Sequence, residues 1–529
     1  MKNREIILDG NSLSLDDVIS LADHGVKLSL SDDALSICAK SRQVLEDAIK
    51  SRKIVYGVNT SYGPMCNKII HDDELETLQV NLLRSHSAGM GNILPYNIAR
   101  AAFAIRLNCL VKGYSAVRVE LLRFMKDVFN AGIAPVIPEQ GSVGASGDLI
   151  HLAHLGLGLI GEGDLYFNGE IMPARNALEK AGLKPVKLAF KEAISIMNGT
   201  SVMSAIACFA LYKTKKLFNT QMISLAFAME IFGGLDDAFE SDLHAIKPHE
   251  GQIAVAEILR NLLKGSKNIK KRAGLHEKVR AQETNGAVFE TQEVVQDVYT
   301  LRCAPQVLAV VYDSIKYAEK TLATEINSSN DNPLIIPDSS GSAGGKILHG
   351  GNFHGQSVSF AMDSLRIGLS TICNISERRL NKLLDRNLNG GLPENLAVGN
   401  IGLEIGFMGS QYLAVSTTAE NRQLAAPMSV NTISSNENNQ DVVSMGTVSA
   451  RLALRSAENA ELVQTMEILA DLQALSFRNS GGLGEETAKI YAELSKDYEQ
   501  YNCNKIFREN LLKFRKIIFD SVADKLRFI

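Results

Sequence analysis

The dominant pattern along the chain is an apolar residue at every third or fourth position, the period of a helix that buries one face. Leu75, Leu78, Leu82 and His86 repeat on one such face. From about 442 to 475 the apolar series Val443, Val448, Leu452, Leu454, Leu462, Met466, Leu469 and Leu472 continues with no proline and no glycine after Gly446. That pattern predicts a single very long helix, and stretches 358–384 and 491–526 read the same way. Helices of this length pack as an extended bundle, so the expected fold is mainly α. Strand signals are few: Ile6–Leu8 before Asp9-Gly10, and Leu165–Phe167 before Asn168-Gly169. Glycine-rich stretches at 57–63, 141–147 and 341–355 interrupt the helices, and loops of that kind often carry chemistry. No internal repeat or low-complexity tract is present.

Size and charge narrow the picture. The 529 residues and 57.5 kDa suggest about three domain-sized units, which one large helical core could merge. With 45% hydrophobic and 22% charged residues, a net charge of −4 and a pI near 6.3, no general nucleic-acid or anionic-membrane surface is indicated. The short basic run of Lys267 and Lys270–Arg272 reads as a solvated loop. Seven cysteines stand singly, with no C-x-x-C pair, which argues against a disulfide framework or a zinc knuckle and for a reducing cytoplasm. The N-terminal run Met1-Lys2-Asn3-Arg4-Glu5 is charged and precedes no signal-length apolar stretch. The apolar stretch 202–233 is broken by Lys213, Lys215 and Lys216, short of the roughly 20 residues a membrane span needs. A soluble cytoplasmic protein is expected.

The densest chemical signal is Gly141-Ser-Val-Gly-Ala-Ser-Gly-Asp-Leu149, leading into the helical pattern 150–160. Glycine at every third position suits a phosphate cradle, but the Lys-Ser/Thr of a P-loop and a strand–turn–helix setting are both missing. Backbone cyclisation fits better. If Gly147 N is forced against the carbonyl carbon of Ala145, attack and dehydration close a five-membered ring, and loss of the Ser146 hydroxyl leaves an exocyclic methylidene. Glycine supplies an unhindered amide and tolerates strained dihedrals, alanine keeps its carbonyl accessible, and serine carries the leaving group. Asp148 is placed to hydrogen-bond or to shuttle a proton.

This segment resembles the signature of the aromatic amino acid ammonia-lyase family, the histidine, phenylalanine and tyrosine ammonia-lyases and related aminomutases. Further blocks follow in family order: Tyr56-Gly-Val-Asn-Thr60, Asn198-Gly-Thr-Ser-Val202, Gln296-Asp-Val-Tyr-Thr-Leu-Arg302, Glu325-Ile-Asn327 with Asp331-Asn-Pro333, His349-Gly-Gly-Asn-Phe353 and Asn439-Gln-Asp-Val-Val-Ser444. They span nearly the whole chain. The fumarase and aspartase relatives share a helical architecture, but their G-S-S-x-M-P-x-K loop is absent. The resemblance implies a long-helix bundle of the ammonia-lyase/fumarase type. An N-terminal part, 1–205, would carry the base loop and a methylidene-imidazolone built from Ala145, Ser146 and Gly147, followed by the bundle, 206–529. It also implies a homotetramer with shared active sites, no metal and no dissociable cofactor.

By the same resemblance Tyr56 is the base, although a phenol needs activating surroundings to work near neutrality. Arg302 takes the substrate carboxylate, a task its planar fork suits. Asn198 and Tyr299 contact the prosthetic group and help orient the amine. Gln296, Asn436 and Asn439 are further polar site residues, and Phe353 packs beside the prosthetic group. His151 and His154 lack a third ligand and are read as core or interface histidines rather than a metal pair.

Substrate choice follows from what meets the far end of the ring. Ser85-His86 holds that position, and an unmet polar group facing a bare phenyl costs roughly 1–3 kcal/mol. His86 therefore disfavours phenylalanine but suits tyrosine or histidine. Gln440 stands where histidine lyases resemble a glutamate, and Gln356 where they tend to carry another; neutral amides suit a phenol better than an imidazole. The expected reaction is loss of ammonia from tyrosine to give 4-coumarate. The alternatives are histidine to urocanate, a tyrosine aminomutase, and a non-enzymatic scaffold. Ser61-Tyr62 and Glu394-Asn395 depart from the family pattern; the first is expected to stiffen the Tyr56 loop and the second to alter a pocket wall.

Overall fold

The computed structural model describes residues 4–23, 25–338, 344–478 and 480–529. Met1–Asn3 of the charged N-terminal run and residues 341–343 of the third glycine-rich stretch lie outside the described residues. The fold is mainly α, 57% helical with 19 helices among the described residues. The chain forms two compact units, one of 1–210, 318–363 and 427–454, the other of 211–317, 364–426 and 455–529. Both are discontinuous in sequence, unlike the two continuous parts expected from the resemblance. The long helices Ser201–Phe232, Ala304–Glu325, Gln356–Leu384 and Gly446–Ser476 each contribute residues to both units.

The first unit is organised around the helix Tyr96–Val111, in which every residue from Ile98 onward is buried. Its two strand signals resolve differently. Glu5–Leu8 pairs in parallel with Lys27–Leu30, with the helix Leu15–Leu21 as the crossover, so Asp9-Gly10 ends a strand without turning a hairpin. Asp164–Phe167 and Glu170–Pro173 do form a hairpin. Asn168 (φ 52°) and Gly169 (φ 82°) adopt the left-handed pair that such a two-residue turn needs.

In the second unit the sequence pattern over 491–526 breaks into the helices Glu485–Ser495 and Phe507–Ile517, followed by a π turn and a 3-10 turn. Local and tertiary bonds win over apolar periodicity here. Tyr501 N donates to Gln473 Oε1 at 3.0 Å, and the Asn502 side chain accepts from Asn504 N at 3.3 Å. Tyr501, Phe407 and Phe507 cluster with ring centroids 4.4–5.8 Å apart. The basic run is also more structured than a solvated loop: Lys271 pairs with Asp236 at 3.3 Å and Arg272 with Asp237 at 2.8 Å. No helix among the described residues is long and apolar enough to cross a membrane.

Candidate active site

Asp148 is the anchor of the loop that holds the tripeptide. It is fully buried and accepts from Val202 N and Met203 N at 2.9 and 2.8 Å. These amides belong to the first turn of the Ser201–Phe232 helix and have no intrahelical partner, so a carboxylate there is stabilised by both bonds and dipole. Ser142 Oγ donates to it at 2.9 Å, and the Thr447 hydroxyl also donates. Four donors saturate this carboxylate, so of the two parts open to Asp148 the structure shows the hydrogen-bonding one. Ser444 Oγ and Gly355 N close the other side of the loop by donating to Gly144 O at 2.9 and 3.1 Å.

Within this frame Ala145 is buried, Ser146 is half-buried and Gly147 adopts φ +69°. A Cβ on Gly147 would lie 2.2 Å from Gly199 O, so both the dihedral and the space require glycine. Asp148 N donates to that same Gly199 oxygen at 2.7 Å. Ser146 is read from two sides: Asn198 Nδ2 donates to its carbonyl oxygen at 2.8 Å and Gln440 Nε2 to its hydroxyl at 2.9 Å. The Gln440 amide is held in that orientation by Ser435 Oγ, which donates to Oε1 at 3.1 Å. Gln440, expected to meet the substrate ring, thus lines the cavity with its amide nitrogen on the Ser146 hydroxyl. Gln356 donates to Ser429 O at 2.9 Å and does not line the pocket.

Ala145 and Ser146 open into a cavity of about 630 Å³, of the size that takes a small molecule. Tyr56, His86, Asn198 and Phe353 line it, as do Asn436, Asn439 and Gln440. The Tyr56 hydroxyl accepts from Gly63 N at 3.0 Å, and its ring meets His349 edge-on with centroids 6.5 Å apart. Asn436, Glu437 and Asn438 all have φ between 53° and 63°. Three successive left-handed residues cost roughly 1–2 kcal/mol each, a strain seen where loops serve a site. His86 sits at the C-terminal end of the helix Leu75–His86. Its Nδ1 lies 3.0 Å from Leu82 O, which only accepts, and 2.9 Å from Ser85 Oγ, whose own hydrogen goes to Leu82 O, so Nδ1 carries the hydrogen. Burial pushes the His86 pKa down, partly offset by that hydrogen bond. The imidazole is therefore neutral and presents Nε2 as an acceptor.

Several lining residues were given no site role by the sequence: Tyr62, Cys66, Leu82, Ile194, Asn332 and His349. Leu82 shares the His86 face at i, i+4 spacing, and Asn332 and His349 lie within the family-like blocks, so a signal existed for these three. Tyr62, flagged there as a departure, packs its ring at 3.3 Å from where a Gly57 Cβ would stand. Burial raises its phenol pKa, which keeps it neutral.

Gln296, Tyr299 and Arg302 belong to the second unit and are not among the residues lining this cavity. Gln296 and Arg302 line another cavity, of about 310 Å³. Arg302 Nε donates to Asp297 O at 2.8 Å and its guanidinium lies 4.5 Å from the exposed Tyr299 ring. It has no carboxylate partner among the described residues. His151 and His154 are packed along the helix Leu149–Leu159, their pKa values pushed down by burial. Among the described residues no group of three or more His, Cys, Asp or Glu side chains is placed to hold a metal.

Residues 13–496 match the family described as aromatic amino acid lyase. A histidine ammonia-lyase of Treponema denticola is 39% identical over 518 residues, 98% of this chain and 97% of the relative. Among solved structures, a tyrosine aminomutase from Streptomyces globisporus superposes with a TM-score of 0.93 at 34% identity, covering 99% of this chain and 98% of that one. A histidine ammonia-lyase from Trypanosoma cruzi gives 0.87 at 34% identity, with 99% and 94% covered. The long-helix architecture is thus that of the ammonia-lyase and aminomutase structures. The chain belongs to the aromatic amino acid lyase family, and it is a carbon–nitrogen lyase.

Proposed function

We propose that this chain eliminates ammonia from L-histidine to give urocanate, using an electrophile formed by cyclisation of Ala145-Ser146-Gly147. The observation that carries the reaction class is the convergence of Tyr56, Asn198 and Gln440 on a cavity floored by Ala145 and Ser146. The residues fit the methylidene-imidazolone: a left-handed Gly147 with no room for a side chain, a buried Ala145, and a serine whose two oxygens are each bonded. When formed, that group supplies the electrophile for the substrate amine. Asn198 holds the Ser146 carbonyl, Gln440 donates to the hydroxyl that leaves on cyclisation, and Tyr56 Oη takes the β-proton, with Gly63 N–H donating to that oxygen and so favouring the phenolate that a base requires. Arg302, with no carboxylate partner among the described residues, takes the substrate carboxylate. The enzyme works as a cytoplasmic homotetramer with shared active sites, in which Gln296, Tyr299 and Arg302 come from another subunit.

Histidine replaces tyrosine as the preferred substrate because the curated relatives at about this similarity are named as histidine ammonia-lyases. His86 Nε2 accepts from an imidazole N–H or a phenol O–H alike, so tyrosine stands as the second reading, favoured by the TM-score of 0.93 to a tyrosine aminomutase. Purified enzyme mixed separately with histidine, tyrosine and phenylalanine discriminates through product ultraviolet absorbance and amino acid analysis. Urocanate is expected; coumarate without urocanate overturns the histidine reading, and β-tyrosine indicates a mutase.

A further inference from the structure

Behind the tripeptide stands a charged side chain that no step of the reaction uses. Arg106, on the helix Tyr96–Val111, is fully buried. Its bonded acceptors are all neutral: Nη1 donates to Asn330 Oδ1 at 2.7 Å and Nη2 to Ser195 O at 2.6 Å. No carboxylate among the described residues pairs with it, and Nε has no partner. A guanidinium held this way is costly to bury, so its position calls for a reason beyond core filling.

The reason lies in what it touches. A Cβ built on Gly199 would fall 1.8 Å from Arg106 Nη1 and 2.5 Å from Asn330 Oδ1. Gly147 also meets this peptide: its own Cβ would lie 2.2 Å from Gly199 O. Gly147 and the Arg106 fork therefore both pack directly on Gly199, with no room for a side chain at either glycine. The fork cannot swing away. Asn330 Nδ2 donates to Thr200 Oγ1 at 2.8 Å, and the Thr200 hydroxyl donates to Glu325. Ser195, whose carbonyl takes the other prong, has its hydroxyl bonded to Lys191 Nζ at 2.9 Å, and Lys191 pairs with Asp331 at 2.7 Å. Both supports of the guanidinium are thus built into buried networks.

We propose that Arg106 is the positioning residue for the chain's own ring closure: it presses the Gly199 peptide onto Gly147 and so holds Gly147 N against the Ala145 carbonyl carbon. This rests on the cyclisation reading above. In that step a bond forms between Gly147 N and Ala145 C. The Ala145 oxygen leaves as water with the amide hydrogens of Gly147 and Ser146. The Ser146 hydroxyl leaves as a second water with the Ser146 α-hydrogen. Nothing is oxidised or reduced. The contribution of Arg106 is a rigid planar wedge, which lysine, a flexible point charge, does not reproduce.

The test reads peptide mass in the full-length protein, not activity. In the natural chain the proteolytic peptide containing 145–147 is expected to be lighter by two waters. In Arg106→Lys it should acquire that loss about a hundredfold more slowly, the effect of a misplacement on the order of 1 Å, while the helical circular dichroism and melting temperature stay close to those of the natural chain. Should Arg106→Lys not fold, Thr200→Val decides, because it removes the hydroxyl that accepts from Asn330 Nδ2 and so loosens the support of the fork; its dehydration should also be slowed. A folded variant, of either kind, that dehydrates at the natural rate overturns the role of Arg106. A natural chain without the two-water loss overturns the cyclisation reading itself, which is a separate result.

Discussion

The tripeptide cradle and the rim of the pocket are built on opposite principles. In the cradle the backbone does the work: Gly147 lies on Gly199, Asp148 is saturated by four donors, and Ser146 has each oxygen bonded. On the rim, single side chains face open space. His86 offers one free nitrogen, His349 is exposed beside Tyr56, and Asn436–Asn438 hold a strained left-handed run. A surface with one or two bonds per residue tolerates exchange, whereas a packed backbone does not. The cradle therefore carries the reaction class and the rim carries the substrate.

If that division is right, the largest effect comes from the cradle. Ser146→Ala removes the leaving hydroxyl and with it the electrophile. The expected loss in kcat is on the order of 10⁴-fold for every substrate, about 5.5 kcal/mol at 1.36 kcal/mol per factor of ten. The peptide mass should also lack the two-water loss. Full activity in this variant would break the comparison at its root.

Next is Tyr56→Phe, which keeps the ring and its contact with His349 but deletes the oxygen that Gly63 N–H faces. General-base removal costs roughly 10²–10⁴-fold in kcat. Because the cradle is untouched, the two-water loss should persist. Mass and rate thus separate in this variant, while they fall together in Ser146→Ala.

How much of this was readable beforehand differs between the two regions for the same physical reason. Backbone chemistry demands particular residue types at fixed spacing, so Ala145-Ser146-Gly147 and Asn198-Gly199 announce themselves. The rim depends on where side chains point. Gln440, aligned with a family glutamate, turns out to face the Ser146 hydroxyl, and Gln356 faces Ser429 O. No periodicity encodes those directions. Asp148 shows a third case: its residue type allowed proton transfer or anchoring, and only the two amides of the Ser201–Phe232 helix decide for anchoring. At fold level the long helices at 356–384 and 446–476 were legible because their apolar faces are continuous. The helix read over 491–526 failed because Gln473 and the Phe407–Tyr501–Phe507 cluster outbid local periodicity.

A moderate effect should come from His86→Leu. It removes the Nε2 acceptor and leaves an apolar wall beside Leu82. For a substrate whose ring N–H or O–H loses its partner, kcat/KM should fall by about 1–3 kcal/mol, roughly five- to 150-fold, while phenylalanine turnover rises relative to it. An unchanged preference among the three amino acids would show that the rim does not select the ring. In the natural chain, burial keeps the His86 pKa below its ordinary value, so Nε2 stays an acceptor below the pH at which a free histidine protonates. The acid limb of kcat/KM attributable to it should fall below about pH 6.5.

The smallest effect concerns what lies beneath the cradle. His151, on the first turn after Asp148, is buried with neither ring nitrogen partnered by the hydrogen-bond geometry. Burial pushes its pKa below the ordinary value, with Asp148 pulling the other way. The unfolded chain takes up a proton on this residue as pH falls through about 6.5, while the folded chain does not until lower pH. Stability supplied by the neutral, buried ring is therefore present at neutral pH and is lost progressively as pH drops between those two values. The slope is at most about 1.4 kcal/mol per pH unit. Thermal melts of the natural chain from pH 7.5 to 5.5 should show a falling melting temperature, and His151→Leu should flatten that fall even where it lowers stability overall. An equally steep fall in His151→Leu would assign the acid sensitivity elsewhere.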